Sequence, residues 1–450
     1  MNINYNDPVK LNRTCNLHAK SLYLKLTFLK ILNEAQYMVS CAKVKGGYMK
    51  NDRNKINIIF LIASVLMTTI MISTIAGAAD KQYESSMQCK GCHEQIYNEW
   101  SGSMHSQAIT DPIFQGALSQ QKDRSICLLC HAPVTRSTGD FDLKQNITNE
   151  AITCDFCHTI SGLNATNPLA PFLLNPGEIK YGPYAESNSF IHKTQKLDML
   201  TQSEFCGVCH DLSFPNGLVV LSTYSEWKDS EYATKGIQCQ TCHMTSIKRS
   251  VAAGSPERDS HAHTWKGGHS IDVVKSAGKF DLDAKIEGSK VIVTAVISNE
   301  NAGHKFPTGA DSRLILEISA TDKDGKKIFE DKKKFSKIFG GADGKPVPVP
   351  DLATQILSDT RILPKDRSKS EFTFDATGIK GDIAIKGTLL YRLNIEELAP
   401  GPATKIDEVS KTVNLAGTKE DEGTNATPGF EVVLSVISMI SIYVLRRIKN

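Results

Sequence analysis

Two kinds of patterning divide this chain of 450 residues. Across 271–415 apolar and polar positions alternate with period two, the mark of half-buried strands. Lys290–Ser298, Arg313–Ala320, Ser370–Phe374 and Ile383–Leu393 each read as a strand. Turn-forming segments separate them: Asp322–Gly325, Gly340–Gly344 and Pro346–Pro350. Short strands so punctuated predict a β-sandwich of the immunoglobulin-like kind. Across 80–270 neither the strand nor the helix period is sustained. That segment predicts short helices joined by long loops, such as the Pro-, Asn- and Gly-rich stretch Asn164–Tyr184. The expected fold class is α+β, short helices first and the sandwich second.

Both ends carry continuous apolar runs. Met49–Lys55 is a basic lead, Ile56–Ile75 is apolar, and Ala76–Ala79 are small residues before Asp80. The order is that of a secretory signal peptide over 49–79. It starts late, so 1–48 reads as a misassigned upstream extension rather than a cytoplasmic tail. At the other end a polar linker, 416–427, precedes Pro428-Gly429-Phe430, an apolar run Val432–Leu445 and basic Arg446, Arg447 and Lys449. The run is shorter than the about 20 residues of a full span. Segment 428–450 therefore reads as a sorting signal or a membrane anchor.

Five Cys-x-x-Cys-His motifs fall within the weakly periodic segment. They are Cys89/Cys92/His93, Cys127/Cys130/His131, Cys154/Cys157/His158, Cys206/Cys209/His210 and Cys239/Cys242/His243. This is the attachment pattern of c-type haem. Two thiols add to the vinyl groups of one porphyrin, and the adjacent imidazole reaches its iron. Zinc is the rival for paired cysteines, but tetrahedral sites use the pairs two at a time and need no His after each. Five pairs, each followed by His, therefore predict five covalently attached haem c groups. Cys15 and Cys41 lie upstream, so no cysteine remains for a disulfide framework in the body. First-Cys separations of 38, 27, 52 and 33 residues set no repeat period. About 190 residues for five haems leaves the porphyrins to supply much of the apolar core, a haem-packed domain.

Charge changes the picture once the ends are set aside. The whole chain is formally +3, yet 80–427 holds 39 basic and 45 acidic residues, net −6. An acidic body argues against nucleic acid as a partner.

Beyond the motifs, 80–450 holds six further histidines: His105, His192, His261, His263, His269 and His304. Iron closed by two imidazoles only moves electrons, whereas open iron binds small molecules. Six candidates can close five irons, and His105, His192, His263, His269 and His304 are the distal choices beside the proximal His93, His131, His158, His210 and His243. Met104 and Met244 are weaker thioether candidates beside ligating histidines. Trp100, Trp227 and Trp265 are expected to pack on porphyrin faces.

The first motif followed by Trp100-Ser101-Gly102-Ser103-Met104-His105 resembles the opening of multihaem cytochromes of the c-552/4 type. His261-Ala262-His263-Thr264-Trp265-Lys266-Gly267-Gly268-His269 resembles that family's His-rich stretch, and Gly303-His304-Lys305-Phe306-Pro307-Thr308-Gly309 its Gly-His-x-Phe-Pro-Thr-Gly turn. The resemblance implies that His105 is a distal ligand. It does not separate His261 from His263, though His263 and His269 fit the stretch better. The C-terminal segment resembles the PGF-CTERM signal of archaeal surface proteins, which implies cleavage and a lipid anchor.

The function expected is an extracytoplasmic, cell-surface electron relay with no catalytic residues. Its partners would be a membrane electron donor and another multihaem cytochrome or an extracellular acceptor, with the membrane reached through the C-terminal anchor. Two alternatives stand beside it: a reductase of a small nitrogen or sulfur oxyanion at one open iron, and a homo-oligomeric cytochrome filament. His304, on a loop between two expected strands, would tie the sandwich to the haem region if it reaches an iron.

Overall fold

The computed structural model describes residues 83–121, 123–164, 171–185, 189–214, 216–347, 352–393 and 403–415. The expected extension, signal peptide, linker and C-terminal signal lie outside them. Among the described residues no helix is long and apolar enough to cross a membrane.

From Tyr83 to His269 the described residues form short helices and small two-stranded sheets. Four of the five motifs sit within one: Ser125–His131, Cys154–His158, Ser203–His210 and Cys239–His243. The first straddles the junction between Ser86–Lys90 and Glu94–Ser101. Helices this short are marginal alone, since nucleation costs more than a few hydrogen bonds return. Local caps set their starts. The Thr153 hydroxyl accepts from Phe156 N–H, and the Asp111 carboxylate accepts from Ile113 and Phe114 ahead of Pro112–Ser119. Apolar packing here is broken into small clusters, one around Leu118 and Leu128, another around Val134, Phe156, Ile160 and Phe172. The expected loop Asn164–Tyr184 instead contains two short strands. Phe172–Leu174 pairs with Ile160–Leu163, and Ile179–Gly182 runs parallel to Lys193–Lys196.

After the helix Ile271–Ala277 come seven longer strands. They are β1 (Gly278–Glu287), β2 (Lys290–Asn299), β3 (Arg313–Thr321), β4 (Lys327–Phe335), β5 (Arg367–Asp375), β6 (Asp382–Arg392) and β7 (Thr404–Asn414). One sheet has the order β5-β2-β1 and the other β4-β3-β6-β7, all antiparallel. Their inward residues form one core: Phe280, Leu282, Val291, Val293 and Phe372 from the first sheet, Leu314, Leu316, Ile383 and Ile385 from the second. This is an immunoglobulin-like arrangement in which the fourth strand lies beside the third rather than the fifth. Four strands were expected from the alternation; β1, β4 and β7 were not.

The core is tight where the sheets face. A Cβ on inward-facing Gly387 of β6 would lie 2.7 Å from the Phe280 ring of β1. Gly387→Ala is therefore expected to cost about 1–3 kcal/mol by overpacking. Chemical denaturation followed by circular dichroism checks it, and an unchanged midpoint would show that the two sheets yield at this point.

Candidate haem sites

The motif helices and intervening loops bring histidines together in pairs. Ring centres of His93 and His192, His105 and His210, His158 and His263, and His243 and His304 each lie 6.4 Å apart. An imidazole nitrogen sits about 2.0 Å from a first-row metal and roughly 1.1 Å from its ring centre, so two rings facing across one ion have centres roughly 6.2 Å apart. Each pair thus spans the gap that an axially ligated iron fills. Each joins one motif His to one from elsewhere in the chain. Among the described residues no three His, Cys, Asp or Glu side chains gather around a bare-ion site.

The imidazoles are aimed by their second nitrogen. Nδ1 of His93 is 2.7 Å from the Val251 carbonyl, that of His158 2.7 Å from Tyr181 and that of His243 2.6 Å from Lys266. His131 uses the Ala108 carbonyl, His263 that of His261 and His304 that of Lys305. With the proton on Nδ1, Nε2 is left as the donor to metal. Burial first, then neighbouring imidazoles led by His210, holds His105 down at about 3. Burial, then His243, holds His210 at about 4, and burial, then His158, holds His263 at about 4. Burial also lowers His131, His158 and His304. These six rings are neutral near pH 7, the form that ligates.

The supporting residues explain the motif spellings. In Trp100–His105, the Ser103 hydroxyl donates to the Trp100 carbonyl at 2.7 Å and tightens the turn. The Trp100 indole donates to the Ile152 carbonyl at 2.8 Å, and Ile152 N–H donates to the His105 carbonyl at 3.2 Å. His105 is thereby pinned to the segment entering the third motif. Buried Arg249 and half-buried Glu99 form an ion pair; Glu99 accepts from His263 N–H at 2.8 Å, while Arg249 donates to the His261 carbonyl at 2.7 Å. Neither residue was marked by the sequence, because an isolated Glu or Arg carries no spacing signal.

His304 lies between β2 and β3, as expected, and faces His243 of the fifth motif. Behind it is a buried ion cluster. Glu226, on the helix Thr223–Lys228 of the haem region, accepts from Lys305 N–H at 3.0 Å and pairs with Arg361 at 2.7 Å. Arg361 also pairs with Asp359, and Lys305 with Asp359 at 2.8 Å. Burial alone would raise Asp359; hydrogen bonds from Arg361 and Lys305 overcome it and hold the carboxyl far below its usual range.

The fifth distal choice is placed differently. His269 is exposed, and no ring pairing joins it to a motif His. Four ring pairs thus share one spacing, and His269 belongs to none of them. Among the described residues no second imidazole faces His131. Its ring is instead stacked on Phe114, centres 3.7 Å apart and planes within 6°. Nothing in the sequence singled out Phe114. His261, left open beside His263, faces no motif His; its Nδ1 lies 2.8 Å from the Met244 carbonyl.

Among the described residues the ten motif cysteines form no disulfide, and cysteines of different motifs adjoin. The Cys154 thiol beside it, then burial, raises Cys89. The Cys209 thiol lowers Cys130 to about 7, and Cys206 does the same to Cys239. Cys157 and Cys209 share one apolar cluster with Phe205 and Val208. These neighbours put the first motif by the third, the third by the fourth, and the second and fifth each by the fourth.

The ten attachment cysteines differ in cover. Cys92 and Cys242 are exposed, whereas Cys89, Cys127, Cys130, Cys154, Cys157, Cys206, Cys209 and Cys239 are partly covered. For Cys92 the reason is local. The helix Ser86–Lys90 has ended and Glu94–Ser101 has not begun, so Cys92 stands on the turn between them rather than on a packed helix face. Cys242 lies in the last turn of the five-residue helix Cys239–His243, beside exposed Thr241. Exposure does not remove either from its motif, since a thioether is made at the porphyrin edge and needs no enclosing apolar shell.

Residues 88–159 match the family model of cytochrome c554 and c-prime. Among solved structures the chain is similar to a penta-heme cytochrome c552 from Thermochromatium tepidum, at 23% identity and a TM-score of 0.60, covering 73% of this chain and 99% of that one. It also matches a putative beta-galactosidase from Bacteroides fragilis at 14% identity and a TM-score of 0.18, covering 30% of this chain and 16% of that one. No curated protein matches. Motifs, matched family model and shared fold together make this a multihaem c-type cytochrome with covalently attached haem, a class found outside the cytoplasm.

Proposed function

We propose that the chain is a five-haem relay that passes electrons from a membrane donor to another multihaem cytochrome or an extracellular acceptor. The observation that carries this reading is the set of four imidazole pairs at one common spacing of 6.4 Å. Bound haem c supplies a one-electron ferric/ferrous couple at each site. The chain's part is to close and order the sites. Each histidine pair would hold one iron and keep small molecules from it. Backbone carbonyls fix the ring tautomer. Adjoining thiols from different motifs string the sites without a gap in the order first, third, fourth, with the second and fifth flanking the fourth. Attachment to the membrane through 428–450, and assembly with further copies, extend the same reading.

Flash reduction of the oxidised holoprotein by a sub-stoichiometric photoreductant tests it. The expected result is spectral redistribution among haems at a rate independent of protein concentration. Redistribution that scales with protein concentration would overturn the relay.

A second reading rests on the second motif. Because, among the described residues, no second imidazole lies from His131 at the 6.4 Å spacing of the four pairs, that iron would be open to a small ligand. A reductase of a nitrogen or sulfur oxyanion would show oxyanion-dependent reoxidation of the fully reduced protein; the relay predicts none.

A further inference from the structure

Of the three tryptophans, two are held by their indole N–H. Trp100 donates to the Ile152 carbonyl and Trp227 to the Ile237 carbonyl, both at 2.8 Å. Trp265 is placed by its ring. Its centre lies 4.6 Å from that of His105, at 54°, and 5.1 Å from that of His263, edge-on at 83°. Those histidines belong to different pairs: His105 faces His210, and His263 faces His158. One indole therefore touches the distal ring of the fourth site and the distal ring of the third.

The backbone bears a cost for this. Trp265 has φ +40°, in the left-handed region where a Cβ is crowded. Glycine would sit there freely, and Gly267 and Gly268 follow within the same loop. A bulky residue kept in such a conformation points to a function of its side chain. Around it, each imidazole is fixed along other directions. The His263 backbone is held by Glu99, its Nδ1 by the His261 carbonyl, and the His105 carbonyl by Ile152 N–H. The Nδ1 hydrogen bond restrains the His263 ring at one atom and the His105 contact holds backbone alone; neither packs against a ring. The Trp265 indole does, with an aromatic edge against one imidazole and a tilted face against the other.

We propose that Trp265 is a positioning residue for two sites at once, fixing the ring planes of His105 and His263. It rests on the ligand pairs read above. The planes of the His105–His210 pair now stand at 48° and those of His158–His263 at 26°. In low-spin ferric haem the spread of g values depends on that angle between axial rings, which gives a readout that stability alone does not move.

The test is electron paramagnetic resonance of the oxidised holoprotein with Trp265→Leu and Trp265→Phe, signals being assigned by their loss in His105→Ala and His263→Ala. Trp265→Leu should shift the third- and fourth-site signals and leave the first and fifth in place. Trp265→Phe keeps an aromatic edge and should shift the same two by less. Signals unmoved in Trp265→Leu, or all four moved alike, would overturn the inference. A wild type with no bis-imidazole low-spin signal would overturn the ligand pairs and the inference with them.

Discussion

Arg361→Met is expected to lower the stability of the holoprotein by about 3–5 kcal/mol, the usual cost of removing one partner from a buried ion pair. Its guanidinium is 1% exposed and Glu226 6%, so the carboxylate left behind cannot recover its hydration. Asp359 loses two hydrogen bonds of 2.8 Å at the same time. The damage falls where the sandwich meets the haem region, since Glu226 comes from a helix of one and Arg361 from the other. The double variant Glu226→Gln/Arg361→Met removes the stranded charge and should regain part of the loss. Guanidinium denaturation of the four members of the cycle, followed by far-ultraviolet circular dichroism, measures it. A single-variant loss below about 1 kcal/mol would mean that water enters the cluster.

His105→Ala should convert one low-spin haem to a form that binds carbon monoxide after reduction. His304→Ala should do the same at the fifth site, with an added weakening between sandwich and haem region, because the His304 ring enters that region from the β2–β3 loop. His269→Ala should leave both the low-spin complement and carbon monoxide binding unchanged. Optical titration of the reduced proteins with carbon monoxide separates the three. Equal behaviour of His105→Ala and His269→Ala would show that exposure and ring pairing misjudge the ligands.

The sequence announced the haem-bearing residues because thioether attachment demands two thiols and an imidazole at fixed spacing. That spacing says nothing of cover: the first motif spans a helix junction and leaves Cys92 exposed, while the second, third and fourth lie within helices that cover both of their cysteines in part. His105 was legible for a related reason: the Trp and Ser of its segment tie the turn that presents it. The choice between His261 and His263 was not legible. Both lie in one segment, two residues apart, and only the Glu99 and Arg249 contacts from distant helices and strands decide which ring faces His158. His269 illustrates the limit of counting, since six histidines can supply five partners without geometry obliging all to serve. Among the strands read, β2, β3 and β6 are each flanked by other strands and bury an unbroken inward row, while β5 lies at an edge yet keeps strict alternation over Ser370–Phe374. β1, β4 and β7 were missed at sheet edges. β4 carries Lys327, Lys332, Lys333 and Lys334, and β7 Lys405, Asp407, Glu408 and Lys411, charges that edge strands carry against open pairing and that blur alternation.

The central proposal is that imidazole pairs would close four irons while, among the described residues, no second imidazole pairs with His131. Carbon monoxide titration of the reduced wild-type holoprotein, with electron paramagnetic resonance of the oxidised form, tests it most directly. The account predicts four bis-imidazole low-spin signals, and carbon monoxide bound by one haem in five, with that binding site lost when the second motif is replaced. Five bis-imidazole signals with no carbon monoxide bound, or carbon monoxide bound at several haems, would contradict it.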